Sequence, residues 1–139
     1  YYRNSFITAK EGLDNAIIGK TIDTVANQEL HLVSLKTKKA KTFSQVPLVV
    51  NRAAASDAGW LFINSEIMGQ LDREEMWKVS SIIDIYEIDS GAYLASFYID
   101  NDSKKKIRSF IVAGNNIDAM GETKVVRYKL RRFLGYPRK

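Results

Sequence analysis

The sequence predicts an all-β fold made of β-propeller blades, about three four-stranded antiparallel repeats of a partial propeller. Two observations carry that prediction. A set of apolar segments recurs three times in the same order. Within each segment apolar residues alternate with a period near two, the side-chain period of a strand.

The recurrence can be read along the chain. Ile22-Asp23-Thr24-Val25-Ala26, followed by Leu30-His31-Leu32-Val33-Ser34-Leu35, aligns without a gap on Ile117-Asp118-Ala119-Met120-Gly121, followed by Val125-Val126-Arg127-Tyr128-Lys129-Leu130. Between them Leu61-Phe62-Ile63-Asn64 matches the first part and Ile83-Asp84-Ile85-Tyr86-Glu87-Ile88 the second, with extra residues in between. An outer segment recurs as well. Tyr2-Arg3-Asn4-Ser5-Phe6-Ile7-Thr8 resembles Tyr93-Leu94-Ala95-Ser96-Phe97-Tyr98-Ile99, and Thr42-Phe43 holds the same place in the first unit. Like strands return every about 40–55 residues, the range of propeller repeats.

With strands lettered A to D outward, residues 2–8 read as a D strand, 13–45 as a full unit, 52–99 as a second, and 107–130 as A, B and C. The closing D strand is missing unless Arg132-Phe133-Leu134 supplies it. Asp89-Ser90-Gly91 is a hairpin-type turn, Thr37-Lys38-Lys39 fills its equivalent, and Asn115-Asn116 and Gly121-Glu122-Thr123 punctuate the last unit. Three blades fall short of the four to eight that close a ring. The expectation is therefore the C-terminal half of a six-bladed propeller, or a ring completed by a second copy, since a face carrying Phe97, Phe110 and Ile111 would otherwise be an open apolar patch.

The middle unit carries an insertion from Ser65 to Val79, where the last unit has a short turn. Asp72 precedes Glu75 by three residues, a capping-box spacing for one or two helical turns. Met76 and Trp77 are expected to cover a blade edge.

At 139 residues and 45% hydrophobic content the chain has the size and apolar matter of one domain. The net charge of +5 is concentrated in residues 36–41, 104–108 and 127–139. The absence of cysteine excludes disulfides and thiolate chemistry. No apolar run approaches the ~18 residues of a membrane span, and no signal peptide precedes Tyr1. A start at Tyr-Tyr-Arg without Met suggests a processed or truncated piece of a longer chain.

His31 is the sole histidine, which rules out a multi-histidine metal site, and its place between Leu30 and Leu32 reads as a strand residue and not a catalytic one. Asp72, Glu74 and Glu75, and Asp84 with Glu87, are carboxylate pairs that read mostly as solvated charges; glycoside hydrolysis would need two of them facing across a cleft. Asp100-Asn101-Asp102 resembles the start of a calcium loop but lacks the glycine and distal glutamate, and Lys104-Lys105-Lys106 follows, so it reads as a turn. Asn101-Asp102-Ser103 fits a glycosylation sequon. No cofactor is expected, because phosphate loops and dinucleotide fingerprints are missing. Nucleic acid would want interleaved basic and aromatic residues. In Arg127-Tyr128-Lys129, strand alternation sends the ring inward and the charges outward, which speaks against it.

Three stretches carry a family resemblance: Asp72-Arg73-Glu74-Glu75 with Trp77-Lys78, Ser80-Ser81-Ile82-Ile83-Asp84-Ile85-Tyr86, and Gly91-Ala92-Tyr93 through Ile99. With the closing Phe110-Ile111-Val112 and Val125 to Leu130, they resemble the late blades of TolB-like six-bladed propellers of bacterial envelope proteins. The resemblance covers residues 50–130. It implies a secreted or envelope-anchored protein, in the periplasm or at the cell surface, with a binding role and no transferred catalytic residue.

The expected function is a non-catalytic binding or scaffold module for a protein, peptide or glycan. A-strand residues line the channel of such folds, so Asn51, Arg52 and Arg108 are the candidate ligand contacts, with Asn64, Ser65 and Trp77 near one rim. The alternative is a carbohydrate-active enzyme, a lyase or glycosidase using carboxylates. Converging acids with strongly shifted pKa would favour that alternative, and a channel of neutral polar groups would favour the binder.

Overall fold

The computed structural model describes residues 4–9, 16–25, 31–35, 40–103 and 105–130. The candidate strand at Arg132-Phe133-Leu134, the tail beyond residue 130, the turn at 36–39 and residues 2 and 3 of the opening strand lie outside the described residues. Among the described residues the fold is all-β, with small antiparallel sheets and one helix, α1 (Glu74–Val79). Among the described residues no helix is long and apolar enough to cross a membrane.

The centre is a four-stranded meander, β5 (Asn51–Asp57), β6 (Trp60–Ser65), β7 (Ser80–Glu87) and β8 (Tyr93–Asp100), hydrogen-bonded in chain order. Two residues, Ala58 and Gly59, join β5 to β6 with φ of 49° and 84°. Positive φ at both positions is the hairpin geometry whose twist matches the flanking strands. Alanine there costs roughly 1 kcal/mol, which the paired strands offset.

Alternation decides what each face of this sheet does. On β7, Ile83 and Ile85 point one way while Ile82, Asp84 and Tyr86 point the other, and both sets are buried. The first face builds a dry core. Phe62, Ile83, Ile85 and Ile99 meet Ile107, Phe110, Ile117 and Ala119 of a three-stranded sheet, β9 (Ser109–Ala113), β10 (Asn116–Met120) and β11 (Val125–Lys129). Each large apolar side chain removed from water here stabilises by ~1.5–3 kcal/mol. Of the residues expected on an open face, Phe110 is buried in this core, Phe97 packs against it, and Ile111 is exposed. On β11, Tyr128 packs inward while Arg127 and Lys129 face solvent, as alternation predicts.

The second face meets the hairpin of β1 (Ser5–Thr8) and β2 (Ile17–Lys20). Phe6 joins Leu61, Ile63 and Tyr86, its ring centroid 5.2 Å from that of Tyr86. Gly19 lies opposite Phe6 in the ladder, and a Cβ there would come within 2.1 Å of the ring, so the aromatic seat requires glycine. A second hairpin, β3 (Leu32–Leu35) with β4 (Ala40–Phe43), is exposed along both strands.

Two local readings differ from the sequence expectation. Ile22 to Thr24 aligns with β10 in the repeat but forms a bend, because Asp23 competes for the backbone: its carboxylate accepts from the Val25 N–H and from the Thr21 hydroxyl. The capping box does not form either. Arg73 is the N-cap of α1 with no side-chain cap bond, and Asp72 instead accepts from the Gly69 N–H (2.6 Å) and the Tyr98 hydroxyl (2.5 Å).

Candidate functional site

On the Asp84 face of the central sheet lies a cleft of about 560 Å³. Its floor is Ile82 and Asp84 of β7 with Ser96 and Tyr98 of β8; Tyr93 closes one end. One wall is the bend at Ile22, Asp23 and Thr24, and the other is the loop from Ser65 to Asp72. The Tyr86 hydroxyl fixes the first wall by accepting the Ile22 N–H at 3.0 Å. Burial raises the Tyr86 pKa, so this phenol stays neutral and polar where the bend needs an acceptor. Tyr98 ties down the second wall through its bond to Asp72, which in turn raises the phenol's own pKa.

Asp84 is the centre of the site. The residue is 3% exposed, and Ser96 Oγ donates to its Oδ1 at 2.5 Å. The Ser96 oxygen lies 2.9 Å from the Tyr93 hydroxyl, which therefore donates in turn, giving a relay Tyr93 to Ser96 to Asp84. Burial pushes the Asp84 carboxyl up to about 6; the Ser96 bond opposes this, and the negative charges of Asp72 and Asp23 add to it. Asp23 and Asp72 each have both carboxylate oxygens engaged, whereas Oδ2 of Asp84 accepts nothing from the described residues. Among the described residues the cleft lining contains three aspartates and no lysine, arginine or histidine.

Most of the six residues expected to bind lie outside this cleft. Asn51, Asn64 and Ser65 are buried at one end of the central sheet, with the Asn64 amide donating to the Ile82 carbonyl at 2.9 Å. Of the six, Ser65 alone lines the cleft, where its hydroxyl closes the turn to Ile67. Arg52 pairs with Glu66 at 2.5 Å and Arg108 approaches Glu122 at 3.5 Å. The Trp77 ring lies beneath the Lys106 ammonium, 3.8 Å from its centroid, and that ammonium also donates to the Trp77 and Ser80 carbonyls. Desolvation lowers the Lys106 pKa, with Arg52 adding to that and Glu66 and Asp72 opposing it. These contacts knit the central sheet to the segment leading into β9.

Asp102, read as part of a turn, holds one together. Its carboxylate accepts from the Thr123 N–H and hydroxyl, both at 2.8 Å, which keeps its pKa below the usual carboxylate range. Asn101 of the sequon accepts from the Ser81 hydroxyl at 2.8 Å, and that hydroxyl accepts the Ile107 N–H at 3.0 Å. Among the described residues no three His, Asp or Glu side chains converge as metal ligands.

Sequence reasoning treated Asp84 as a solvated charge, yet it is the most buried acid of the cleft. The available signal was its setting: a lone acid inside Ser80-Ser81-Ile82-Ile83-Asp84-Ile85-Tyr86, a run too apolar on both alternations to leave either face in water. Comparisons with family models, with curated proteins and with solved structures give no match to this chain.

Proposed function

We propose that the chain is a non-catalytic binding module of the bacterial cell envelope, built from β-propeller blades, which takes its ligand in the Asp84 cleft. The observation that carries binding is a buried carboxyl with an open oxygen, facing a cleft of about 560 Å³. Volume and lining are those of a small-ligand or side-chain site. A carboxylate buried without a counter-charge opposes folding, so its position is better accounted for by a ligand than by stability. Support for blades comes from the central four-stranded meander, covered on one face by β9–β11 and on the other by the β1–β2 hairpin, as a blade is by its neighbours. Placement in the envelope rests on the resemblance of residues 50–130 to TolB-like propellers. Remaining blades come from another part of a longer chain or from a second copy, and a mass in solution equal to one chain counts against the second copy.

The test is binding of the full chain to immobilised peptide and glycan panels, alongside Tyr98→Ala and Asp84→Ala. Retention by the wild type and loss in both variants is the expected result. Equal retention by all three proteins refutes the cleft as the site.

A second reading is favoured by one observation: of the three acids that line the cleft, Asp84 has a pKa raised to about 6, as a general acid would need. Against it, both oxygens of Asp72 and of Asp23 are held by other groups, leaving one open carboxylate where hydrolysis uses two. Release of reducing ends or unsaturated products from polysaccharides by the wild type, and not by Asp84→Asn, would establish the enzyme.

A further inference from the structure

We infer that the Asp84 cleft selects an organic cation, a guanidinium or ammonium group on an apolar stem, as presented by an arginine or lysine side chain. This rests on the binding reading above and adds the chemistry of the ligand.

Charge distribution is the first argument. The chain has 21 lysines and arginines against 16 acids, yet among the described residues the cleft lining holds three acids and no base. The nearby cation, Lys106, is committed to the Trp77 ring and to the Trp77 and Ser80 carbonyls. An anionic ligand would meet three like charges in a site that water only partly screens.

The second argument is the unfilled valence of a buried group. Asp84 is 3% exposed, lines the cleft, and receives one bond, from Ser96, so Oδ2 remains an acceptor without a donor among the described residues. A charged N–H donor is the partner that best compensates a desolvated carboxylate.

Shape supplies the third. Ile22, Ile67, Met68, Leu71 and Ile82 give the cleft apolar walls along which a methylene stem can lie, and Leu71 is 99% exposed at present. Tyr93 and Tyr98 add ring faces and edges near the carboxyl, suited to a cation.

The experiment is calorimetric titration of the full chain with N-acetyl-arginine amide, N-acetyl-lysine amide and the neutral isostere N-acetyl-citrulline amide at pH 7.5. Both cations are expected to bind at least about tenfold more tightly than citrulline, and Asp84→Asn to lose about tenfold or more for the cations with little change for citrulline. Asp118→Asn, on the outer face of the last sheet, is expected to bind as the wild type does. Cation binding should also weaken as pH falls from 7.5 to 5. The groups facing Asp84 are Asp23 from the bend, Asp72 from the loop, and the phenols of Tyr86, Tyr93 and Tyr98. Of these, the phenols of Tyr86 and Tyr98 have raised pKa values and stay neutral throughout that range, and the loss is expected to track protonation of Asp84. Should Asp84→Asn fail to give a folded spectrum, the cation-to-citrulline ratio in the wild type decides alone. Equal affinity for citrulline and arginine overturns cation selection and leaves the binding reading intact. If none of these compounds binds and the peptide and glycan panels are also silent, both fall.

Discussion

The two faces of the central sheet are built from the same four strands and do different work. Toward β9–β11, Phe62, Ile83, Ile85 and Ile99 form an apolar core with Ile107, Phe110, Ile117 and Ala119, and the buried Ser81 at its border has its hydroxyl bonded to Asn101 and the Ile107 N–H. On the opposite face the same strands present Tyr86, Asp84, Ser96 and Tyr98, where hydrogen bonds and a buried charge stand beside the smaller apolar cluster of Phe6, Leu61, Ile63 and Tyr86. Consecutive residues of β7 therefore belong to different environments: Ile83 and Ile85 stabilise the fold, and Asp84 between them destabilises it. Period-two geometry lets one strand carry both without compromise, because neither face constrains residue choice on the other.

Substitutions on the dry face should have the largest effects. Phe62→Ala empties a fully buried site and is expected to lower stability by ~3–5 kcal/mol, read as a fall in urea midpoint at unchanged slope. A loss under about 1 kcal/mol would mean that this face is not where the fold is held.

On the polar face the sign reverses. The folded Asp84 carboxyl keeps its proton up to about pH 6, while an unfolded aspartate releases it near pH ~3.9. Protonation thus favours the native state. The stabilising proton is fully present in both states below the lower value and is lost from the folded state as pH rises to about 6, so this group's contribution falls across that window and stays low above it. Asp84→Asn keeps an acceptor for Ser96 without the charge. At pH 7.5 it should be more stable than the wild type by up to roughly 3 kcal/mol, and at pH 3.5 nearly equal to it. Paired urea titrations at the two pH values check this, and a variant equally destabilised at both would break the contrast.

Smaller effects sharpen the comparison. Tyr86→Phe leaves its packing with Phe6 but removes the acceptor for the Ile22 N–H. It should cost ~1–2 kcal/mol and speed hydrogen exchange at the Ile22 amide well before the core amides. Smallest of all, Asp118→Asn breaks the two-bond pair with Arg127 on the exposed side of the last sheet. Its urea midpoint should be indistinguishable from that of the wild type.

Much of this architecture could be read from residue patterns, and the reason is local. The alternation of Val126, Arg127, Tyr128 and Lys129 forecast which side faces water, and the apolar runs from Leu61 and Ile82 forecast β6 and β7. What failed depended on side chains choosing partners, near or far along the chain, that periodicity does not record. Asp72 could cap a helix by spacing, but Tyr98, 26 residues away, competes for it. Asp23 turns a strand-like segment into a bend through bonds that no period records. The cleft was hidden for the same reason: its floor comes from β7 and β8, while its walls come from residues 22–24 and 65–72. Of the six candidate contacts named from strand order, Ser65, placed near a rim, alone lines this cleft, which lies over a sheet face.

The seating of the Lys106 ammonium on the Trp77 indole gives the molecule a built-in optical gauge. The ring is buried enough that its Nε1 finds no acceptor among the described residues, and the cation sits 3.8 Å from the ring centre. Lys106 belongs to the segment that delivers the chain from the central sheet to β9. Separation of the two sheets would withdraw the charge and wet the indole together, so in a Trp60→Phe background the emission wavelength of Trp77 monitors that seam without any label.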